Sequence, residues 1–381
     1  MRDNVLVLAS VASMIDQFNI PNIKLLIEMG FHVDVACNFL NGSTCSDEKI
    51  SQLKTKLNDM GVGIYQIDFA RNAFNVKRNL KAFHQVLGLV KINRYRFIHC
   101  HSPIGGLCGR LAGHITHTKV IYTAHGFHFY KGAPLLNWLV YYPIEKFLSR
   151  YTDVLITINK EDFARAKTFH AKKVEYIPGV GIDIDKIQAV TVNRTEKREK
   201  LGIPEDAFLI ISVGELNKNK NHELVIKALS QMKCGKDIFY IIVGDGPLKN
   251  HLAELIANLG MNTKMQLLGY RTDVIELLKT SDCFVFPSLR EGLPVSLMEA
   301  MASGLPVVCS NIRGNTDLVD DGVNGYLFQN SDMKSLLDSL NKAIRTGNKL
   351  AENSTEIIGP FSQKTVLAQM VKIYLLEKIL L

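Results

Sequence analysis

Two glutamates eight positions apart, Glu291 and Glu299, are placed to accept hydrogen bonds from hydroxyl groups. The apolar run Cys283-Phe284-Val285-Phe286 before them reads as a buried strand ending at Pro287-Ser288. Pro294 suits the first position of a helix, which Leu297, Met298, Ala300 and Met301 continue and Gly304 stops. Pro306-Val307-Val308-Cys309 then begins another strand. Glu291 therefore lies in the loop and Glu299 less than two turns inside the helix, roughly 7 to 8 Å along its axis. Between them, Gly292 and Leu293 sit at a helix start, where free backbone N–H groups attract phosphate. A phosphate site flanked by two acceptors for sugar hydroxyls suits a nucleotide sugar. Taken alone, the same pair fits a solvated helix face; the surrounding string separates the two readings.

A second anion site is legible upstream. The strand Phe208–Val213 runs into Gly214-Glu215-Leu216-Asn217-Lys218-Asn219-Lys220-Asn221-His222 and then a helix. Glycine at a strand end admits a ligand close to the backbone, and lysines beside a helix start neutralise a diphosphate; a solvated loop is the plain alternative. Phe239–Pro247 is a similar strand and glycine turn that shapes the sheet edge. In the first half, His99 and His101 stand two apart on an extended segment, so both face one side. No third metal ligand lies near, so packing at the sheet end is preferred to a metal pair, with His101 and Ser102 opening the loop that shapes a cleft. His125 follows the strand Ile121-Tyr122-Thr123-Ala124 and precedes Gly126, at the carboxyl edge where doubly wound sheets bind ligands. Asp183 and Asp185 have the spacing of a metal-binding acidic pair but read as loop and capping residues.

Elements to position these groups alternate along the chain. Strands are expected at 4–9, 32–37, 63–68, 97–100, 119–123 and 153–158, and helices near 18–29, 47–60, 76–92, 105–114 and 137–149. The register restarts at 208–213, followed by strands at 238–243, 265–268, 283–286 and 306–309. Turns at Asp321-Gly322 and Asn324-Gly325 precede Tyr326-Leu327-Phe328. Strand and helix in alternation imply α/β architecture with doubly wound parallel sheets, and 381 residues exceed one core. The domain boundary is expected near 185–195.

No apolar run is long enough to span a bilayer and no signal segment opens the chain, so a cytoplasmic protein is expected. The seven cysteines (37, 45, 100, 108, 234, 283 and 309) form no Cys-x-x-Cys pair, which argues against structural zinc or a redox dithiol. No Gly-x-Gly-x-x-Gly follows the first strand, which disfavours a nicotinamide enzyme. No cofactor and no metal are implied. The net charge of +8 is uneven, with 23 Lys and Arg against 15 Asp and Glu in 1–190 and 22 against 22 thereafter. That points to an anionic partner for the first half. No nucleic-acid recognition module is present, which leaves an anionic membrane surface or a lipid diphosphate. Segment 76–96 carries Lys77, Arg78, Lys81, Lys91, Arg94 and Arg96. Its stripe of Val76, Leu80, Phe83, Val86, Leu87 and Val90 fits either a helix on such a membrane or a core-facing helix with a basic outer side. Leu135, Trp138, Tyr141 and Tyr142 add to the membrane reading.

The string Glu-Gly-Leu-Pro-x-Ser-x-x-Glu-Ala-Met-Ala-x-Gly-x-Pro-Val-Val resembles the donor signature of retaining family 4 glycosyltransferases. Their GT-B architecture has two Rossmann-like doubly wound parallel-sheet domains facing across a cleft. The resemblance covers nearly the whole chain. It implies an acceptor-binding domain over 1–190, a nucleotide-sugar domain over 191–360 and a terminal helix over 361–381 crossing back to the first. It further implies that Gly214 and Lys220 meet the donor diphosphate, that the Leu267–Arg271 segment with Arg271 meets the base, and that Glu291 holds the transferred sugar. Glu299 would hold the ribose, and His125 would contact the sugar. The family usually carries Arg where this chain has Glu215, and a glycine pair where it has Ser10–Phe18. His-x-His-x-Pro, Thr-Ala-His-Gly-Phe-His-Phe and Gly-Glu-Leu-Asn-x-Asn-Lys-Asn are closest to transferases of bacterial capsule and exopolysaccharide operons, including those for biofilm matrix. Such enzymes commonly extend a polyprenyl-diphosphate-linked glycan from a UDP-linked hexose or N-acetylhexosamine, as peripheral proteins on the inner face of the membrane. The rival expectation, prompted by Glu215, is a non-catalytic relative serving as an assembly partner.

Overall fold

Five consecutive residues of the first strand, Val5 to Ala9, are wholly buried. A strand buried on both faces needs helices on both sides, which is the condition for a parallel sheet. The computed structural model describes residues 3–40, 46–70, 72 and 75–379; Cys45 lies outside them. The chain divides into two compact units, Met1–Val180 with Lys364–Leu381, and Gly181–Gln363.

The first unit runs β1 (Asn4–Val11), α1 (Ala12–Phe18), α2 (Ile20–Glu28), β2 (His32–Asn38), α3 (Asp47–Asp59) and β3 (Gly63–Gln66). It continues with α4 (Val76–Asn93), β4 (Phe97–His101), α5 (Pro103–Thr116), β5 (Lys119–Ala124), α6 (Leu135–Leu148), β6 (Val154–Thr157), α7 (Lys160–Ala166) and β7 (Lys173–Tyr176). All seven strands are parallel, in the order β3-β2-β1-β4-β5-β6-β7. The two-residue period of β1 sends Val5, Val7 and Ala9 into one core and Leu6 and Leu8 into the other.

The second unit begins with α8 (Ile184–Ala189) and α9 (Arg194–Lys200), then β8 (Phe208–Val213), α10 (His222–Gln231), β9 (Ile238–Val243), α11 (Lys249–Asn258) and β10 (Met265–Gly269). After these come α12 (Val274–Thr280), β11 (Cys283–Phe286), α13 (Val295–Ala302), β12 (Val307–Ser310), α14 (Asn315–Leu318), β13 (Gly325–Phe328) and α15 (Met333–Ile357). Its six parallel strands are ordered β10-β9-β8-β11-β12-β13. The last helix, α16 (Gln363–Ile379), returns to the first unit and buries Val366, Met370, Ile373 and Tyr374 among the β1-side core.

Residues 181–190, expected in the first domain, thus fall in the second unit, where Asp183 caps α8 through its bond from the Lys186 N–H. With this division the charge is more lopsided than the sequence halves suggested. The first unit holds 25 Lys and Arg against 14 Asp and Glu, the second 20 against 23. The stripe on α4 divides: Ala82, Val86 and Val90 face the core with Phe83 and Leu87 packed against it, while Val76 and Leu80 are exposed. Arg78 and Lys81 are also engaged, both on Asp68. In the first unit three elements go beyond the expected set, the helix α1, the short edge strand β7 and the helix α7 that leads to it. The helix expected over 18–29 is α2, and α1 precedes it over Ala12–Phe18, the two meeting at Asn19 just before Pro21.

Candidate functional site

In each unit the strand order reverses once. It does so between β1 and β4 in the first and between β8 and β11 in the second, so the loops after those strands lie side by side. Open parallel sheets bind ligands at such switch points, outside the carboxyl ends of the strands. In the second unit this rule brings the two sequence motifs together. Lys220, in the loop after β8, places its Nζ 2.8 Å from Oε1 of Glu291, in the loop after β11. The ammonium also lies 4.6 Å above the Phe286 ring. Both partners are mostly buried, so the pair is held in a medium where charge interactions are stronger than in water.

The backbone around this pair is tightly braced. The Lys220 N–H donates to Asn217 Oδ1, and Asn217 Nδ2 donates to the exposed Glu215 carboxylate. Glu215 thus shapes the loop. Asn219 ties the two loops together through Arg290 O and the Leu289 N–H. Gly244, at φ +147°, lies so close to the Gly214 carbonyl that a Cβ would fall 1.9 Å from that oxygen. Gly314, at φ +81°, makes the same kind of approach to Gly292, with 2.3 Å left for a Cβ. Side chains would push these loops apart.

Pro294 is the N-cap of α13 rather than its first helical residue, and no side chain satisfies the N–H groups of the first turn beyond Gly292 and Leu293. Glu299 sits one turn further along, with no ion-pair partner among the described residues. Burial pushes its carboxyl up to about 7, so it titrates near neutrality. Arg271 is placed differently. It follows β10 at the sheet edge, and its guanidinium forks onto Asp273 at 2.6 and 2.7 Å. The β10 end with Tyr270 remains exposed, but the Arg271 side chain is not gathered with Lys220 and Glu291.

Two residues that the sequence did not single out join this centre. Arg313 is largely buried and its Nε donates to the Glu291 carbonyl at 3.2 Å. His222 opens α10, is buried, and has both ring nitrogens without a partner. Its place two residues after Lys220 was the available signal.

In the first unit His101, Ser102 and His125 come together at the carboxyl edge of β4 and β5. His101 Nδ1 and His125 Nε2 are 3.0 Å apart and share one hydrogen, while His101 Nε2 has no partner. His99 stacks 4.2 Å from His101, the shared face the extended period requires, and bonds Thr123 Oγ1 and Tyr374 OH. Ser102 adopts φ 64°, ψ 154°, an unfavourable conformation for a residue with a Cβ. Its hydroxyl accepts from the Ser10 N–H, fixing the β4 loop to the glycine-free β1 loop. Among the described residues no group of three His, Cys, Asp or Glu is placed to hold a metal ion.

Burial keeps these rings neutral. His125 is pushed down to about 4, His99 and His222 to about 3, and His101 well below its usual value by burial and its two histidine neighbours. As pH falls below about 6.5 the unfolded chain takes up protons that the folded chain refuses, so folding stability drops. Each ring contributes up to about 2 kcal/mol of loss by about pH 5. Glu299 runs the other way, but it is one group against four. The urea unfolding midpoint should therefore fall clearly between pH 7 and pH 5, above the range in which Asp68 and Asp273, both lowered by their cationic partners, begin to titrate. A midpoint unchanged over that interval would contradict four buried neutral rings.

A two-domain α/β protein with a lysine–carboxylate centre at a switch point is what fold and site define. Residues 193–357 match the family described as Glycosyl transferases group 1, and residues 23–186 match Glycosyltransferase Family 4. The putative glycosyltransferase EpsD of Bacillus subtilis is 33% identical over 98% of this chain and 97% of its own length. The UDP-Gal:alpha-D-GlcNAc-diphosphoundecaprenol alpha-1,3-galactosyltransferase of Escherichia coli is 30% identical over 87% of this chain and 85% of its own. The chain belongs to the group 1 and family 4 glycosyltransferases. The structure of Anabaena Alr3699/HepE in complex with UDP shares its fold, with a TM-score of 0.77 at 20% identity over 97% of this chain and 99% of that one.

Proposed function

We propose that the protein transfers a hexose or N-acetylhexosamine, with retention of configuration, from a UDP-linked donor to a polyprenyl-diphosphate-linked glycan in capsule or exopolysaccharide assembly. It would work at the inner face of the cell membrane. The observation that carries this reading is the Lys220–Glu291 pair, one cation and one hydroxyl acceptor held 2.8 Å apart beside the open first turn of α13. Lys220 and the N–H groups from Gly292 onward meet charge developing on the departing diphosphate, where fixed dipoles act without reorganising. Glu291 accepts from hydroxyls of the transferred sugar and Glu299 from the ribose. Gly214 admits the diphosphate to the backbone, and the Gly269–Arg271 segment serves the base. In the first unit, neutral His125 is assigned to the sugar, with His101 and Ser102 on the acceptor side. The name of the Escherichia coli relative, which pairs a UDP-sugar with a diphosphoundecaprenol-linked acceptor, supports the donor and acceptor classes.

The test is a panel of nucleotide sugars offered to purified protein, with transfer or slow donor hydrolysis as readout. One or a few UDP-sugars should be consumed. Activity should persist in excess EDTA, because Lys220 and helix N–H groups supply the positive charge. Complete loss on chelation, restored by manganese, would instead make Asp183 and Asp185 metal ligands and overturn the metal-free reading. A second reading, a non-catalytic assembly partner, is favoured only by Glu215 at the usual arginine position. Failure to bind or consume every donor in the panel would establish it.

A further inference from the structure

The helix α6 leaves a row of apolar side chains uncovered. Its single carboxylate, Glu145, is buried against the fully buried Arg110, 2.8 Å away, and also meets the Tyr122 hydroxyl. Five of its apolar side chains face outward, Leu135, Leu136 and Leu139 being 73%, 67% and 66% exposed and Ile144 and Phe147 also exposed, while Trp138, Tyr141 and Tyr142 pack on the core. Lys146 lies on this side two turns after Leu139, and the outward side carries no other charge along its length of roughly 21 Å. Lys131 precedes it, and Lys146 and Arg150 stand at its far end.

The neighbours extend the pattern. Helices α4, α5 and α6 all pack on the Leu6 and Leu8 side of the sheet. Among the described residues of the first unit, nine of the eleven exposed large apolar side chains lie on these three helices. Residues 76–151, which contain them, hold eleven Lys and Arg and one acid, the buried Glu145. An exposed apolar patch beside so large an excess of cations is costly in water and complementary to one kind of surface.

We propose that the α4–α5–α6 layer docks on an anionic lipid bilayer, with the outer face of α6 inserted at the boundary between headgroups and acyl chains. Interfacial helices bind by this combination of buried apolar area and attraction to anionic lipid. The assignment rests on the peripheral location proposed above but on none of the donor chemistry. It moves the contact from the 76–96 helix, whose stripe largely serves the core, to α6.

The chain's single tryptophan, Trp138, lies between Leu135 and Leu139 on α6, half-buried against Phe129 and Tyr142 with the Arg165 guanidinium over its ring, so short-range quenching by labelled acyl chains is the readout of insertion. Purified protein is mixed with vesicles of equal parts phosphatidylglycerol and phosphatidylcholine, and with phosphatidylcholine vesicles alone. Co-sedimentation with the anionic vesicles and quenching of Trp138 by bromine-labelled acyl chains are expected. The combined Leu135→Ser, Leu136→Ser and Leu139→Ser variant should bind about tenfold more weakly or worse and lose the quenching. Replacing Lys77, Lys91 and Arg150 with Glu should abolish sedimentation at low salt.

Vesicle binding with Trp138 unquenched and the leucine variant unaffected would overturn insertion by α6 while leaving the peripheral location standing. A wild-type protein that ignores anionic vesicles and forms a dimer dissolved by the leucine substitutions would overturn the assignment in favour of a second copy. Calorimetry with UDP on the same preparations reads the donor site separately, so loss of vesicle binding and loss of the enzymatic reading are distinguishable.

Discussion

Replacing Lys220 by Ala should reduce transfer by about a hundred- to a thousandfold, the cost of removing one preorganised charge from a developing anion. The substitution takes away the ammonium that lies 2.8 Å from Glu291 and 4.6 Å above Phe286, and leaves the Glu291 carboxylate without its partner. Both effects weaken the hold on a diphosphate. The first removes attraction and the second adds an unbalanced negative charge at the same spot. Stability should change far less, because the loop is also held by Asn217, Asn219 and the Gly214–Gly244 approach. The measurement is turnover of the donor identified from the panel, alongside the urea midpoint. Turnover within threefold of wild type, with the fold intact, would remove Lys220 from the reaction. A large loss of both turnover and stability would be resolved by Lys220→Met, which retains the aliphatic stem over Phe286.

Donor affinity should fall by about 1.5 to 3 kcal/mol in Glu299→Ala, the cost of leaving a buried hydroxyl pair without its charged acceptor. The pH dependence makes this test specific. Burial raises the Glu299 carboxyl to about 7, so at pH 6 most of the free protein carries it protonated, and at pH 8 most carries it ionised. If the ionised form accepts from the ribose, the bound donor lowers that value and affinity strengthens with rising pH, by about tenfold between pH 6 and pH 8. Glu299→Gln should bind weakly and without that slope. Calorimetry across this range reads both quantities. An unchanged slope in the Gln variant would assign the titration elsewhere.

How much of this could be read beforehand follows from how each residue is constrained. β1, β8 and β11 were legible because strands buried on both faces appear as unbroken apolar runs, and the Glu291–Glu299 string was legible because a loop and helix start leave few ways to place it. The Lys220–Glu291 contact spans 71 positions of sequence, and only the reversal of strand order at β8 and β11 brings the two loops together. Arg313 was missed for the same reason, since it reaches the Glu291 carbonyl from another loop, whereas His222 stood within the motif, two residues after Lys220, and its burial was not legible. The Arg271 side chain was drawn away by a nearby carboxylate, Asp273, that a motif aligned on the strand end does not weigh. The periodicity of α4 gave a correct apolar stripe but could not tell which of its ends would be covered. On α6 the one carboxylate lies on the buried side with Trp138 and Tyr142, and five apolar side chains are left outside, a division that periodicity alone does not foretell.

The return of α16 to the first unit sets an order of events during synthesis. Val366, Met370, Ile373 and Tyr374 close the β1-side core, and the Tyr374 hydroxyl supplies the partner of His99. All of the second unit, Gly181–Gln363, is made before those residues exist. At ordinary elongation rates the first unit therefore waits roughly ten to forty seconds with an apolar groove uncovered where α16 will lie. During that interval the nascent chain exposes two apolar surfaces, the unfilled groove on one side of its sheet and α6 on the other. The second unit has no such dependence on later sequence, so the half of the protein made last can finish folding first.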